Sequence, residues 1–259
     1  MDLAKLSSPE VDALSRETPI VIPIAALEQH GRHLPVFTDS MLVTEVVRRA
    51  HESMQSKILV LPVMWYGNSH HHMDFAGTTS AEPGVYLQML DSLAQNWIDH
   101  GFRRIVFVNG HGGNDVPGRQ AIFELRQRHR QQMDLLLILA TYWTLANPQQ
   151  EPHLFEPTPL KQEQMAHAGE WETSMMLRLA PELVKGHRRV DPVEPDDPFA
   201  PAARAWTMLD RSREGHVGHP AEATADKGEA LLQCFSDGLA SFLWRVLNWE
   251  SPQSMPTRP

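Results

Sequence analysis

The sequence predicts an α/β protein built on a mostly parallel sheet that helices cover on both faces. Four runs, residues 20–26, 57–64, 104–108 and 134–142, are short and continuously apolar, as strands buried on both faces are. Between them lie helical segments of 15 to 20 residues, so the strands and helices read as successive βα units. The polar loops after the first three strands would then gather along one sheet edge, where open α/β sheets place their ligands. No fixed-period repeat, long low-complexity tract or clear boundary interrupts the 259 residues, so a single domain over 1–259 is expected.

In chain order, residues 2–17 read as a short helix with Ser8-Pro9-Glu10 as its start. The first strand feeds a helix over about 39–55. The second runs into a polar loop over 66–80. Glu82-Pro83 opens a long helix to about 100 with apolar Leu87, Leu90, Ala94 and Trp97, and Gly101 closes it. The third strand enters Asn109-Gly110-His111-Gly112-Gly113-Asn114, and a helix over about 115–132 follows. After the fourth strand, residues 143–165 are irregular and proline-rich, and a helix runs from near 168 to near 181. The proline-rich stretch 186–220 is expected to be a long ordered loop or a lid. A last helix covers about 221–246, and the tail after Asn248 is expected to fray.

Composition narrows the function classes. The formal net charge of −9 argues against a general nucleic-acid or anionic-membrane surface. The single cysteine, Cys234, excludes an internal disulfide framework and fits a reducing compartment. No apolar stretch approaches the ~20 residues of a membrane helix, and the first residues contain no apolar signal region. A soluble, cytoplasmic protein is expected. GxSxG, phosphate-loop and GxGxxG patterns are absent.

The chemistry concentrates in residues 20–40, IVIPIAALEQHGRHLPVFTDS. Glu28, His30, His33 and Asp39 fall within twelve positions, where a strand ends and a helix begins. In an extended chain Glu28 and His30 face the same side. Asp39 sits at a helix N-terminus, where the dipole favours its ionised form. The competing reading is a capping aspartate with two surface histidines. His111 directly follows a buried strand in a loop rich in Gly and Asn; a lone histidine there is usually structural. Together the two loops supply carboxylates and imidazoles suited to Zn²⁺, Mn²⁺ or Fe²⁺, and a bridging carboxylate would hold two metals about 3.5 Å apart.

A third cluster is His167-Ala-Gly-Glu170-Trp-Glu172-Thr-Ser174. On a helix His167 and Glu170 share a face, whereas Glu172 lies roughly 140° from His167 at 3.6 residues per turn. If the helix includes 167, the two glutamates cannot address the same atom. An acid-rich first turn, which the dipole favours, is the competing reading. His70-His71-His72 read as lining on the substrate side. Trp65, Trp143, Trp171 and Trp206 offer either core packing or a flat wall for a planar substrate.

These pieces resemble the creatininase family. The match is carried by Glu28-Gln-His30-Gly-Arg-His33-Leu-Pro35 with Thr38-Asp39, Gly67-Asn-Ser69, Phe75-Ala-Gly77-Thr78-Thr-Ser80, the NGHGGN loop, the His167 cluster, and Gly218-His-Pro220 with its following residues. They occur in the family's order over about 20–230. The resemblance implies a three-layer αβα sandwich, a two-metal site, hydrolysis of an amide or similar C–N bond, and a homo-oligomer, often a hexamer. By position, Glu28, Asp39 and His111 would hold one metal, and His30 with bridging Asp39 the other. True creatininases carry a glutamate two residues after the strand-3 histidine, as a ligand of the second metal; here that position is Gly113. A carboxylate from the third cluster, Glu172 ahead of Glu170, is expected to fill or support that place.

His167 matches the family's catalytic histidine, the proton donor to the leaving nitrogen, with Glu170 expected to tune it. Ser69 matches a substrate-side position, and His71 stands where many members have glutamate. His71, the Gly112 backbone and Trp171 are further expected substrate contacts. The expected function is a metal-dependent hydrolase of an amide, cyclic amide or formamide in a small molecule, with two divalent ions, Zn, Mn or Fe, per chain. Two rivals are a metal-assisted C–C hydrolase of a sugar- or inositol-derived diketone and a non-catalytic scaffold.

Overall fold

The computed structural model describes residues 1–251 apart from 55, 157, 195, 196 and 200. Four parallel strands form one sheet in the order β2-β1-β3-β4. β1 is Ile20–Ile24, β2 Leu59–Val60, β3 Arg104–Asn109 and β4 Leu136–Thr141. β1 lies beside β3 with Ile20 opposite Ile105 and Ile24 opposite Asn109. β1 is buried along its whole length, as a central strand covered on both faces must be.

β2 is much shorter than the predicted run 57–64. Pro23 offers no N–H to that neighbour, so the regular ladder stops at Val60. The edge is re-closed by Leu61 N–H donating to the Val21 carbonyl and Ala25 N–H donating to the Met64 carbonyl.

Side chains of the central strands alternate between two cores. Val21, Ala25, Val106 and Val108 pack against α2 (Thr38–Ser53), α5 (Glu170–Leu179) and α7 (Ala225–Leu247). Ile20, Ile22, Ile24, Ile105 and Phe107 pack against α3 (Pro83–Asp99) and α4 (Asp115–Arg128). This is the expected α/β arrangement, a parallel sheet with helices on both faces. After β1 the chain turns to one side of the sheet, and after β3 to the other. The loops leaving β1 and β3 therefore meet at a topological switch point, where a crevice opens at the strands' C-terminal ends.

Several element boundaries differ from those expected. The predicted N-terminal helix is a 3₁₀ turn, Leu3–Lys5, and one short helix, α1, Ser8–Asp12. The expected helix near 168 begins at Glu170, because Gly169 is extended and Ala168 is left-handed at φ 52°. α7 starts at Ala225, where the Thr224 side chain accepts from Lys227 N–H, later than predicted. Within 186–220 the described residues form turns and the short α6, Met208–Arg211, tied by a bridge between Val193 and Gly218. The predicted fraying of the tail concerns mostly residues 252–259, outside the described residues. Among the described residues no helix is long and apolar enough to cross a membrane.

Candidate functional site

The residues that end β1 and β3 and begin α2 converge at that switch point. Asp39 stands in the first turn of α2, Glu28 and His30 in the loop after β1, and His111 directly after β3. All four are buried. Asp39 divides its carboxylate between two imidazoles: Oδ1 lies 3.0 Å from His30 Nε2, and Oδ2 lies 3.0 Å from His111 Nδ1. His111 Nδ1 is also 3.2 Å from Glu28 Oε1, and His167 Nδ1 is 3.4 Å from the same oxygen.

Backbone carbonyls assign the tautomers. His30 donates from Nδ1 to the Glu28 carbonyl at 3.1 Å, and His111 from Nε2 to the Asn68 carbonyl at 3.0 Å. His167 donates from Nε2 to the Gln29 carbonyl at 2.9 Å. In the neutral form of each ring the other nitrogen is then a lone pair aimed at a carboxylate. Two acceptors at 3.0 Å repel unless a cation lies between them. Neither Glu28 Oε2 nor Asp39 Oδ2 accepts a well-directed hydrogen bond, although both are buried. Protons can act as that cation. Burial opposes charge on His30 and His111, yet the surrounding carboxylates prevail, raising His30 to about 10 and His111 well above the ordinary imidazole value. Burial likewise opposes charge on Asp39, but the two imidazoles hold its carboxyl below the usual range.

Divalent ions fit the same positions better. The donors are imidazole nitrogens and carboxylate oxygens, and each histidine is oriented through its far N–H, as metal-ligating histidines are. Two sets of side chains, Glu28–His30–Asp39 and His30–His167–Glu172, have ligand atoms close enough to share an ion, and Glu28 forms further sets with His71 and His111 and with His72 and His167.

Glu172, not Glu170, reaches this cluster. Its Oε2 accepts from Ala168 N–H at 2.6 Å and lies 3.8 Å from His30 Nε2, and burial raises its carboxyl to about 7. His167 precedes the helix rather than riding on it, so the helical spacing that would separate His167 and Glu172 does not apply. The structure does not bring Glu170 to His167. One Glu170 oxygen accepts from the Lys161 and Gln162 N–H groups, and the other pairs with buried Lys227 Nζ at 2.6 Å.

The other expected contacts divide. His71 and Gly112 line a cavity of about 730 Å³ above the cluster, together with Glu28, Asp39, His111, His167 and Glu172. Ser69 lies behind His111, its buried Oγ 3.2 Å from Nε2, and so supports that ring. Trp171 is a core residue, donating from Nε1 to the Gln162 carbonyl and packing near Phe235. Trp143 and Trp206 line the cavity, whereas Trp65 lies on the surface against Tyr66. A side chain at Gly113 would collide with the Asn68 carbonyl and stand 2.5 Å from His111 Nε2 and 2.8 Å from His71 Cε1. The space at Gly113 is thus taken by the His71 ring and the loop carrying Asn68.

Sequence reasoning missed Gln29, Gln162 and Lys227. Gln29 Nε2 donates to the Gly215 carbonyl at 2.8 Å and lies 2.6 Å from His72 Nδ1. Gln162 Oε1 accepts from the N–H groups of Glu170 and His219. Only Lys227 left a trace in the sequence: a lysine in a first helical turn opposes the dipole and needs a buried partner.

A parallel α/β fold with carboxylates and imidazoles clustered at its switch point defines a hydrolase-type site able to hold metal. The chain belongs to the creatininase family: the family profile, described as creatinine amidohydrolase, matches residues 4–243. It is 32% identical over 251 residues to a mycofactocin precursor peptide peptidase of Mycobacterium tuberculosis (strain CDC 1551 / Oshkosh), covering 92% of this chain and 88% of the relative. It is 30% identical to a creatinine amidohydrolase of Pseudomonas putida, covering 85% and 86%. A crystal structure of creatinine amidohydrolase superposes with a TM-score of 0.80 at 26% identity, covering 96% of this chain and 98% of that one. Solved creatininases include a Zn-Zn type and a Mn form.

Proposed function

We propose that the protein is a metal-dependent hydrolase cleaving a C–N bond, an amide in the wide sense, of a small molecule. The observation that carries this is the set of three histidines, each fixed through one N–H on a backbone carbonyl so that its lone pair meets Glu28 or Asp39. Glu28, Asp39 and His111 would hold one ion, and His30, Asp39 and Glu172 the other. Bound there, divalent ions would supply Lewis acidity and lower the pKa of a water toward ~7.

The chain's own residues do the rest. His167 faces the cavity with Nδ1 free of backbone partners, and Gln29 holds its far side. Its Nδ1 would carry the proton to the departing nitrogen. The Gly112 backbone borders the same space and would orient the carbonyl oxygen. The cavity is far larger than a single small ring. That favours a substrate with the extent of a peptide fragment, in keeping with the peptidase named among the relatives.

The test is elemental analysis of protein purified without chelator or affinity tag, alongside a hydrolysis screen of acyl amides, formamides and short peptides. About two equivalents of Zn, Mn or Fe with turnover support the reading. No metal, with no uptake on adding those ions, overturns it. His167→Ala should keep its metal while kcat falls by roughly 10²–10⁴; unchanged kcat would remove His167 from its role.

A further inference from the structure

Beyond the ligand cluster, the same cavity is lined by two guanidinium groups, those of Arg204 and Arg211. Neither makes a hydrogen bond among the described residues, and Nε of each is buried and unpartnered. Their only carboxylate among those residues is Asp197, shared between them: Arg204 Nε lies 3.7 Å from its Oδ1, and an Arg211 terminal nitrogen 3.7 Å from its Oδ2. Arg211 lies over Trp206 at 4.1 Å, and Arg204 over Phe199 at 5.9 Å. Both guanidinium groups thus lie against aromatic faces, with no described protein group accepting a hydrogen bond from either.

Half-buried guanidinium groups favour paired acceptors, and among the described residues one distant carboxylate for two cations leaves a net positive charge on this wall. The floor of the cavity is the cluster of Glu28, Asp39 and Glu172, whose carboxylates are already matched by the imidazoles beside them. Ring contacts connect the two ends: His71 is stacked beside His111 at 5.7 Å and meets Trp206 edge-on at 4.9 Å. A positive wall beside a cluster whose charges are already matched orients any ligand that has an anionic end.

We propose that Arg204 and Arg211 bind a carboxylate of the substrate, which is therefore an amide bearing a free carboxylate, such as an N-acylated amino acid or a short peptide. A carboxylate matches the planar fork of a guanidinium and can accept from it through both oxygens. Describing this ligand as the substrate rests on the hydrolase reading above; the anion site itself does not.

The probes are N-benzoylglycine and N-benzoylglycinamide, which differ only in the carboxylate. Each is titrated calorimetrically into the metal-loaded full-length protein at low salt. We expect the carboxylate to bind at least about tenfold more tightly, with the preference shrinking as salt is added. Arg204→Gln and Arg211→Gln should each reduce the preference, with metal content and circular dichroism as folding controls. Equal affinities, binding of neither probe, or a preference that survives both substitutions overturns the proposal. The salt series on the unaltered protein decides the matter if a variant misfolds: a preference insensitive to salt also overturns it. Carboxylate preference in a chain that takes up no metal sinks the hydrolase reading alone, whereas metal and turnover without that preference sink only the anion site.

Discussion

His30 and His111 stand on opposite oxygens of Asp39, each with a ring nitrogen 3.0 Å from its own carboxylate atom. One side chain in the first turn of α2 thus joins the loops that leave two neighbouring strands. Asp39→Asn keeps the shape and replaces one acceptor by a donor. Metal affinity should fall by well more than the ~10–100-fold that loss of an outer partner costs. Elemental analysis after dialysis, with circular dichroism as a folding check, reads this; retention of two equivalents would rule out a bridging role.

Glu170 and Lys227 form a buried pair that holds α5 to α7 at a distance from the reacting groups. Removing only the cation, in Lys227→Met, leaves a carboxylate in the interior with two backbone N–H partners. The cost should be about 3–5 kcal/mol in urea unfolding. The double variant Glu170→Gln with Lys227→Met should recover part of it, since no uncompensated charge remains. Additive losses would show that the pair is not coupled. If Glu170→Gln altered the pH profile of turnover while leaving stability intact, Glu170 would belong to the chemistry after all.

Adjacent glycines in the NGHGGN loop should respond in opposite ways. A Cβ at Gly112 meets nothing within 4 Å, whereas one at Gly113 collides with the Asn68 carbonyl and crowds His111. Gly113→Ala should destabilise by about 1–3 kcal/mol, the range for overpacking, and should lower metal content by displacing the His111 ring. Gly112→Ala should leave the melting temperature nearly unchanged. Similar thermal shifts in the two variants would contradict this geometry.

His33 gives a pH dependence with a defined sign. Burial, reinforced by nearby His216, lowers its pKa from 6.5 to about 4, while Nε2–H donates to the Ala168 carbonyl at 3.0 Å. Between these values the unfolded chain binds more protons than the folded one, so stability falls as pH drops from 6.5 toward 4 and is fully present above 6.5. At pH 5 the loss from this one residue is about 2 kcal/mol. Chemical unfolding across that window should show a shallower slope for His33→Gln than for the unaltered protein, and parallel slopes would remove His33 as the source.

Much of the site was legible because its residues come directly after apolar strands. The runs around Ile22 and Val106 announce buried strands, and the loop leaving a buried strand of a parallel sheet lies at its ligand-binding edge. Glu28, His30, Asp39 and His111 are therefore readable from position and residue type. Ser69 and Trp171 were legible as motif members but not in orientation: a side chain behind His111 and one facing the core have the same local sequence as lining residues.

The sequence by itself determined the strand runs, the parallel α/β class and the loops that carry ligand-type residues, because period and polarity act locally along the chain. The tertiary structure decided which glutamate joins the cluster. That choice turns on the left-handed Ala168 and the helix start at Glu170, which together send Glu172 toward His30 and Glu170 toward Lys227, 57 residues away. It also decided that Arg204 and Arg211 face the cavity. Their surroundings are assembled from His71, Trp206 and Asp197, and a guanidinium's environment comes from neighbours that folding supplies, not from its place in the chain.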